Sequence, residues 1–268
     1  MGVLLIMPEN DKSSSKTEPP PMDEPREPGK STQESSAKHE KAQRDAVQRN
    51  RMALFDDAFW AKSGHQRSVL ALLAKRLFDI VVSLAAIILL SPVLLIVALL
   101  IKLESRGPMI FHQLRVGKYN IPFTMLKFRS MRIGAEYNKQ ALMVSNEMDG
   151  PVFKIRDDPR VTRVGRFIRR WSLDELPQLF NVLRGDMSVV GPRPLPVVEV
   201  ADMREDQMRR HSVKPGLTCI WQISGRNEIS FDEWIQLDLI YVDNASFALD
   251  LEIFFRTFRA VLKRKGSY

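Results

Sequence analysis

Residues 80–101 read Ile-Val-Val-Ser-Leu-Ala-Ala-Ile-Ile-Leu-Leu-Ser-Pro-Val-Leu-Leu-Ile-Val-Ala-Leu-Leu-Ile, 22 positions without a charge. A helix rises about 1.5 Å per residue, so about 20 residues cross a hydrocarbon core of roughly 30 Å. Length alone therefore favours one spanning helix. Two features oppose it. Ser91-Pro92 lies just past the middle of the run. A proline inside a helix removes one backbone bond and crowds the carbonyl four residues back, here that of Ile88, at a cost of about 3 kcal/mol. Prolines also occur in spanning helices as simple kinks, so the flanking charge carries more weight. Lys75 and Arg76 precede the run. Lys102, Arg106, Arg115, Lys118, Lys127, Arg129 and Arg132 follow, with only Glu104 opposing between 102 and 132. Positive flanks favour the cytoplasmic side, and here both flanks do. A helix that enters, breaks at Ser91 and Pro92 and leaves by the same face satisfies both. The expectation is a re-entrant helix–break–helix hairpin over 78–103.

Outward from this run the chain changes character. It has 268 residues, 40 Lys and Arg against 32 Asp and Glu, and a net charge of +8. Residues 1–50 hold eight basic and nine acidic side chains, so the remaining 218 carry 32 against 23, a net +9. A basic balance invites a nucleic-acid reading. The single cysteine, Cys219, excludes a disulfide framework and a cysteine-based zinc site, and it suits a reducing compartment. Six of the 16 prolines fall between residues 8 and 50 among Ser, Glu and Lys. Such a stretch buries too little apolar surface to offset its ordering entropy. Residues 1–66 are expected to form a disordered polar tail with a short helix at its end, and nothing in them directs export. Residues 67–268 are expected to form the second unit: the hairpin, then a folded region over 104–268.

Met109–Leu114 and Pro122–Phe128 read as strands around Gly117-Lys118-Tyr119-Asn120. Arg160–Trp171 reads as a helix with Val161, Val164, Phe167, Ile168 and Trp171 on one side and five arginines largely on the other. That pattern suits an anionic membrane surface or a solvated face over a protein core about equally. Leu251, Phe254, Phe255, Phe258, Val261 and Leu262 follow helical spacing near the C-terminus. That helix lies on the bilayer or packs on the core.

The chemistry concentrates at Ser172-Leu173-Asp174-Glu175-Leu176-Pro177-Gln178. Ser172 to Glu175 fits a capping box, and Pro177 moves the helix start toward Asp174, because proline is tolerated only in the first turn. Either register puts Asp174 and Glu175 at a helix N-terminus, where ionised carboxylates are favoured. Simple capping would explain an isolated pair. Five arginines precede this one, and Gly191-Pro192-Arg193-Pro194 follows. A Gly-Pro turn presents Arg193, whose guanidinium matches phosphate oxygens bidentately. Lys127 and Arg129 add a second cationic pair at a strand end. Adjacent carboxylates among clustered cations point to a phosphate site, with Mg²⁺ a candidate for oxygen ligation.

Residues 75–268 resemble the bacterial sugar transferases, the monotopic polyprenyl-phosphate phosphoglycosyl transferases. The resemblance rests on Lys75-Arg76-Xaa-Xaa-Asp79, Ser91-Pro92, Lys127-Phe128-Arg129-Ser130-Met131, Asp158-Pro159-Arg160-Val161-Thr162-Arg163-Val164-Gly165 and the Asp174-Glu175 block. It continues through Asn181 to Ser188, Gly191-Pro192-Arg193-Pro194, Pro215-Gly216-Leu217-Thr218 and Trp221-Gln222-Ile223-Ser224-Gly225-Arg226. It implies an α+β, mainly helical monotopic membrane protein with a small cytoplasmic catalytic domain and interfacial amphipathic helices, at the cytoplasmic face of the bacterial inner membrane. It implies that Asp174 is the nucleophile, attacking the β-phosphorus of a UDP-sugar and expelling UMP. Polyprenyl phosphate (undecaprenyl phosphate) then accepts the sugar phosphate. Glu175 would bind Mg²⁺, Arg193 would contact substrate phosphate, and Ser91-Pro92 would break the membrane helix. The C-terminal part resembles the hexose-1-phosphate branch, which suggests UDP-glucose or UDP-galactose. Departures from the family's pattern stand at Cys219 and Ala245, and the four spanning helices of larger members have no counterpart in this sequence.

Two other readings compete. A membrane-anchored nucleic-acid binder accounts for the basic balance but not for a carboxylate pair inside it. A non-catalytic scaffold of a polysaccharide assembly complex does not require the intact dyad. The expectation is therefore no nucleic-acid partner; a homo-oligomer is compatible with the sequence. Trp221 can stack on a base or sit in the core.

Overall fold

The computed structural model describes residues 68–136, 140–224 and 229–263. The expected tail and its short helix, together with Gly225, Arg226 and residues 264–268, lie outside the described residues. Among the described residues the fold is mainly helical, with two small two-stranded sheets.

The apolar run lies inside one long helix, α1, Val69–Glu104, which Ser68 caps by accepting from Ala71 N. The helix continues through Ser91-Pro92. Ser91 Oγ donates to Ile88 O at 2.8 Å, and so supplies a partner to the carbonyl that Pro92 cannot serve. Among the described residues α1 alone is long and apolar enough to cross a membrane. No residue from Leu84 to Ile96 is buried. Ile88, Leu89 and Leu95 are 66, 79 and 72 % exposed, a contiguous apolar surface that water does not favour.

Both ends of α1 dock on the rest of the fold. Toward its start, Phe78 and Val82 pack against a cluster built on Met125, Val182, Val189, Tyr241 and Ile253. Toward its end, buried Val97 and Ile101 pack with Phe128 and Ile168. The start is also tied by polar bonds. Lys75 Nζ donates to Asp250 Oδ2 at 2.9 Å and to Val190 O at 3.0 Å. Arg76 donates to the carbonyls of Val182 and Leu183, at 2.7 Å each. Asp79, 2 % exposed, accepts from Ser188 Oγ and Val189 N, both at 2.9 Å.

The expected strands form: β1, Ile110–Val116, pairs antiparallel with β2, Pro122–Phe128, from Ile110↔Phe128 to Val116↔Pro122. The basic helix is α2, Arg163–Arg170, and it begins three residues later than expected. Thr162 is its N-cap, with Oγ1 accepting from Gly165 N at 2.9 Å. Arg160 lies ahead of that cap, held by Asp158 at 2.6 Å. Phe167 departs from the expected core side. It is 54 % exposed and shares the outer face with Arg163, Arg166 and Arg170, which helical spacing brings together.

After α2 come a 3₁₀ turn, Leu173–Glu175, and α3, Gln178–Arg184, closed by Gly185 at φ 93°. β3, Ser188–Val190, pairs in parallel with β4, Gly216–Thr218. Between them lie α4, Val197–Val200, and α5, Glu205–Met208. The chain continues with α6, Ile220–Ser224, α7, Phe231–Asp243, and α8, Phe247–Lys263. The apolar residues of α8 divide. Ile253 is buried and Phe254 meets Phe78 edge-on at 5.3 Å, whereas Phe255 and Phe258 are 65 and 56 % exposed.

Candidate active site

A cavity of about 310 Å³ opens where β1, β2, the 173–175 turn, the Gly191–Pro194 segment, α4, α6 and α7 converge. Asp174 and Glu175 line it together with Lys127, Arg193, Arg115 and Arg169. Along one wall, Trp221 and Trp234 pack at 4.5 Å between ring centroids, at the edge of a core cluster that includes Leu114, Leu195 and Ile235.

The carboxylates arrive there by a turn that differs from the expected capping box. Ser172 takes the left-handed region at φ 56° and makes no side-chain cap. Pro177 occupies the N-cap position of α3, so the helix starts at Gln178. A proline without an N–H fits at this boundary. Asp174 and Glu175 therefore sit in the 3₁₀ turn ahead of α3 rather than in its first turn. A non-glycine residue in the left-handed region immediately before a buried dyad stores local strain of the kind found at functional turns.

The neighbouring carboxylates have different surroundings. Glu175 is clamped: Lys127 Nζ lies 3.0 Å from Oε1, Arg193 Nη1 lies 3.1 Å from Oε2, and Arg193 Nη2 also donates to Oε1. Those two cations hold its carboxyl far below the usual range despite burial, and Glu175 in turn raises the Arg193 guanidinium. Among the described residues no hydrogen bond or ion pair holds the Asp174 side chain, which is 7 % exposed. Burial pushes its pKa up; Lys127 opposes that and the Glu175 charge adds to it. One carboxylate is thus fixed and anionic, and the other is freer and more basic than an ordinary aspartate.

Arg193 is presented by a tightly held segment. Four successive carbonyls each receive a donor. Gly216 N reaches Pro192 O at 2.9 Å, Arg210 Nη2 reaches Arg193 O at 2.7 Å, Arg115 Nη1 reaches Pro194 O at 2.7 Å and Val116 N reaches Leu195 O at 3.0 Å. A Cβ on Gly191 would lie 2.4 Å from Lys214 O, and one on Gly216 would lie 2.1 Å from Gly191 N, so both positions require glycine. Arg210 is wholly buried and pairs with Asp238 at 2.6 Å. Burial lowers Arg115 to about 10, which leaves it charged at neutral pH.

Four of the expected site residues come together: Lys127, Asp174, Glu175 and Arg193. Arg129 does not join them. Its guanidinium donates to Arg106 O at 2.6 Å and Ser105 O at 2.9 Å, where it ties the end of α1 to the end of β2. Ser91 and Pro92 lie in the exposed middle of α1. Arg115, Lys154 and Glu199 were not expected, and they line the cavity together with Arg169, one of the five arginines that precede the dyad. The available signal was a charge set between apolar neighbours, as in Leu114-Arg115-Val116 and Phe153-Lys154-Ile155. Cys219 is buried, with its thiol pushed up by that burial and 3.1 Å from Gln222 Oε1, which makes it inert.

Among the described residues no group of three or more His, Cys, Asp or Glu is placed to hold a metal alone. Mg²⁺ needs less from a protein, because it takes one or two carboxylates with phosphate oxygens and water. Asp174 and Glu175 supply that, although Glu175 already shares its oxygens with Lys127 and Arg193. The donor set fits an ion that arrives with a diphosphate.

The sequence profile described as Bacterial sugar transferase matches residues 70–264. The chain belongs to that family. Among curated relatives, the galactosyl transferase CpsE of Streptococcus agalactiae serotype III is 46 % identical over 197 residues, covering 73 % of this chain and 44 % of that protein. The undecaprenyl-phosphate galactose phosphotransferase of Salmonella typhimurium is 42 % identical over 201 residues, 72 % of this chain and 41 % of that protein. The exopolysaccharide production protein ExoY of Sinorhizobium fredii is 42 % identical over 202 residues, 73 % of this chain and 88 % of that protein. The chain thus matches less than half of the first two and most of the third. The sugar transferase match contains the whole cavity wall, from Arg115 to Trp234.

Proposed function

We propose that the protein transfers a hexose-1-phosphate from UDP-glucose or UDP-galactose to undecaprenyl phosphate, at the cytoplasmic face of the bacterial inner membrane. The observation that carries this reading is the asymmetry of the dyad: a clamped Glu175 beside a free, basic Asp174 in a cationic cavity. An Asp174 oxygen attacks the β-phosphorus and the bond from that phosphorus to the bridging oxygen breaks. UMP leaves with the electron pair, and a sugar-phosphoryl aspartate remains. A phosphate oxygen of the polyprenol then attacks the same phosphorus and returns Asp174 as a carboxylate. Splitting the exchange into two displacements replaces one difficult step with two easier ones. Arg193 and Lys127 hold Glu175 in place and face the phosphoryl oxygens, where fixed cations stabilise developing charge without reorganisation. Mg²⁺, held by Glu175 with the diphosphate, would supply charge neutralisation on the transferring group.

A re-entrant α1 belongs to this reading. In a spanning arrangement the two ends of residues 80–101 would lie on opposite faces of the bilayer. A domain on one face would then touch only one end. Lys75, Arg76 and Asp79 bond to the same unit that receives Val97 and Ile101, and this supports a hairpin pivoting at Ser91-Pro92. Exposed Phe167 with its three arginines, and exposed Phe255 and Phe258, suit the headgroup level, where the acceptor phosphate lies. The test is a UMP-release screen across UDP-sugars with the full chain, polyprenyl phosphate and Mg²⁺. Acceptor-dependent release from a UDP-hexose is expected. Silence with every UDP-sugar would sink the reading.

A further inference from the structure

The cavity holds a third carboxylate that the mechanism above does not use. Glu199 of α4 lines the cavity and is 7 % exposed, so it is set into the wall rather than standing in solvent. Its backbone is fixed there. Glu199 N and Val200 N donate to Pro196 O at 3.0 and 3.2 Å. Val197 and Val200 are each 6 % exposed, in the cluster that holds Leu114, Leu195 and Trp221. Pro196 forms an antiparallel bridge with Arg115 of β1.

Arg115 is the cation that goes with it. Of the carboxylates that act on Arg115, Glu199 acts more strongly than Glu175. Arg115 is itself part of the wall: Nη1 donates to Pro194 O at 2.7 Å, and Nε and Nη2 donate to Gln113 Oε1 at 3.0 and 2.6 Å. Its charge offsets the burial of the Glu199 carboxylate. Trp221 lines the same cavity.

This wall has the wrong sign for phosphate. A diphosphate belongs with Lys127 and Arg193, and a third carboxylate repels it. An ionised carboxylate only accepts hydrogen bonds, and it has about four lone-pair sites, so bonds made within the wall leave it further capacity. The part of a sugar nucleotide that lies against Glu199 must therefore be neutral and rich in donors. The uracil edge is a poor match, because its one N–H stands between two carbonyl oxygens. A hexose presents consecutive hydroxyls. An aromatic surface beside a few placed polar groups is the composition of a site that orients a neutral ligand.

We propose that Glu199 is a specificity-determining residue that accepts hydrogen bonds from hydroxyl groups of the donor's hexose. This rests on the proposed reaction for the identity of the donor, but binding can be tested without turnover.

The experiment uses the full chain in nanodiscs. Binding is read by calorimetry in an Asp174→Asn background, which cannot consume the donor, with UDP-glucose, UDP-galactose and UDP as probes. Glu199→Gln keeps the shape of the side chain. Glu199→Asp keeps a carboxylate beside Arg115 but withdraws it from the cavity. Either should weaken the better-bound UDP-hexose about tenfold, the scale of a hydrogen bond to a charged group, while UDP stays within about twofold. UDP-hexoses lacking one hydroxyl at a time then locate the contact. For at least one of them, the penalty seen with Glu199 should vanish in Glu199→Gln. With Asp174 restored, the KM for polyprenyl phosphate should be unchanged. Undiminished UDP-hexose affinity in both variants, an equal loss for UDP, a deoxy penalty that persists in Glu199→Gln for every donor, or a shift confined to the lipid KM would each overturn the proposal. If hexose binding depends on Glu199 but no UDP-sugar yields UMP, the hydroxyl site stands and the transfer reading falls.

Discussion

Replacing Asp250 with asparagine tests whether the membrane helix and the catalytic unit are one structure. Asp250 is wholly buried, accepts from Lys75 Nζ at 2.9 Å and from Tyr241 Oη at 2.6 Å, and lies 175 residues from Lys75 in the chain. Lys75 and Tyr241 both also donate to Val190 O, three residues before Arg193. Asp250→Asn leaves the Lys75 ammonium, with its side chain 13 % exposed, facing a neutral amide. Removing one partner of a buried pair costs about 3–5 kcal/mol, because the other charge stays desolvated. For a unit of this size each kcal/mol moves the melting temperature by about 2–4 °C, so a fall of about 6–20 °C is expected. Lys75→Met should cost a similar amount. The double variant should fall short of the sum by about 1–3 kcal/mol, since neither charge then remains. Thermal unfolding of the detergent-solubilised full chain, followed by tryptophan fluorescence, reads all four corners of the cycle. A single-variant effect below about 0.5 kcal/mol with no coupling would refute the anchoring role of this pair.

Three further outcomes are expected. Catalysis needs Asp174 ionised and burial raises its pKa, so UMP release should fall on acidification at a pH above the ordinary carboxylate range; a pH–rate profile with its acid limb at or below that range would contradict this. Asp238→Asn leaves the buried Arg210 charge without its carboxylate and should cost about 3–5 kcal/mol in a denaturant melt, with Arg193 losing its carbonyl support; an unchanged midpoint would show that the pair is dispensable. Single cysteines at Leu72 and Arg106 should both label from the cytoplasmic side, and Pro92→Leu should move one of them; opposite-side labelling in the parent chain would defeat the hairpin.

Much of this arrangement was legible locally. The antiparallel pair came from two β-type runs around a Gly-Lys-Tyr-Asn turn. The convergence of the dyad, Lys127 and Arg193 on one cavity agrees with the pattern of a carboxylate pair set inside a basic region. What failed depended on long-range partners. Arg129 sits two residues from Lys127, but its donors go to the carbonyls ending α1, a contact that strand alternation cannot reveal. The capping box at Ser172 fits the pattern, yet Pro177 set the start of α3 three residues beyond Glu175. Phe167 stands at the edge of the apolar stripe, and it is Gly165 and Ile168 that turn inward while Phe167 stays exposed, a choice set by what α2 packs on. Arg115, Lys154 and Glu199 reach the cavity from three separate segments, and only the tertiary fold brings them together.

The central claim is that Asp174 carries the sugar phosphate between donor and acceptor. The most direct measurement is the mass of the intact full chain after incubation with the UDP-hexose it turns over and Mg²⁺, without lipid acceptor, followed by peptide mapping. The account predicts a hexose-phosphate adduct on the peptide containing Asp174, formed with release of UMP, discharged by polyprenyl phosphate and absent from Asp174→Asn. UMP release that requires the lipid, with no adduct at any time, would contradict it.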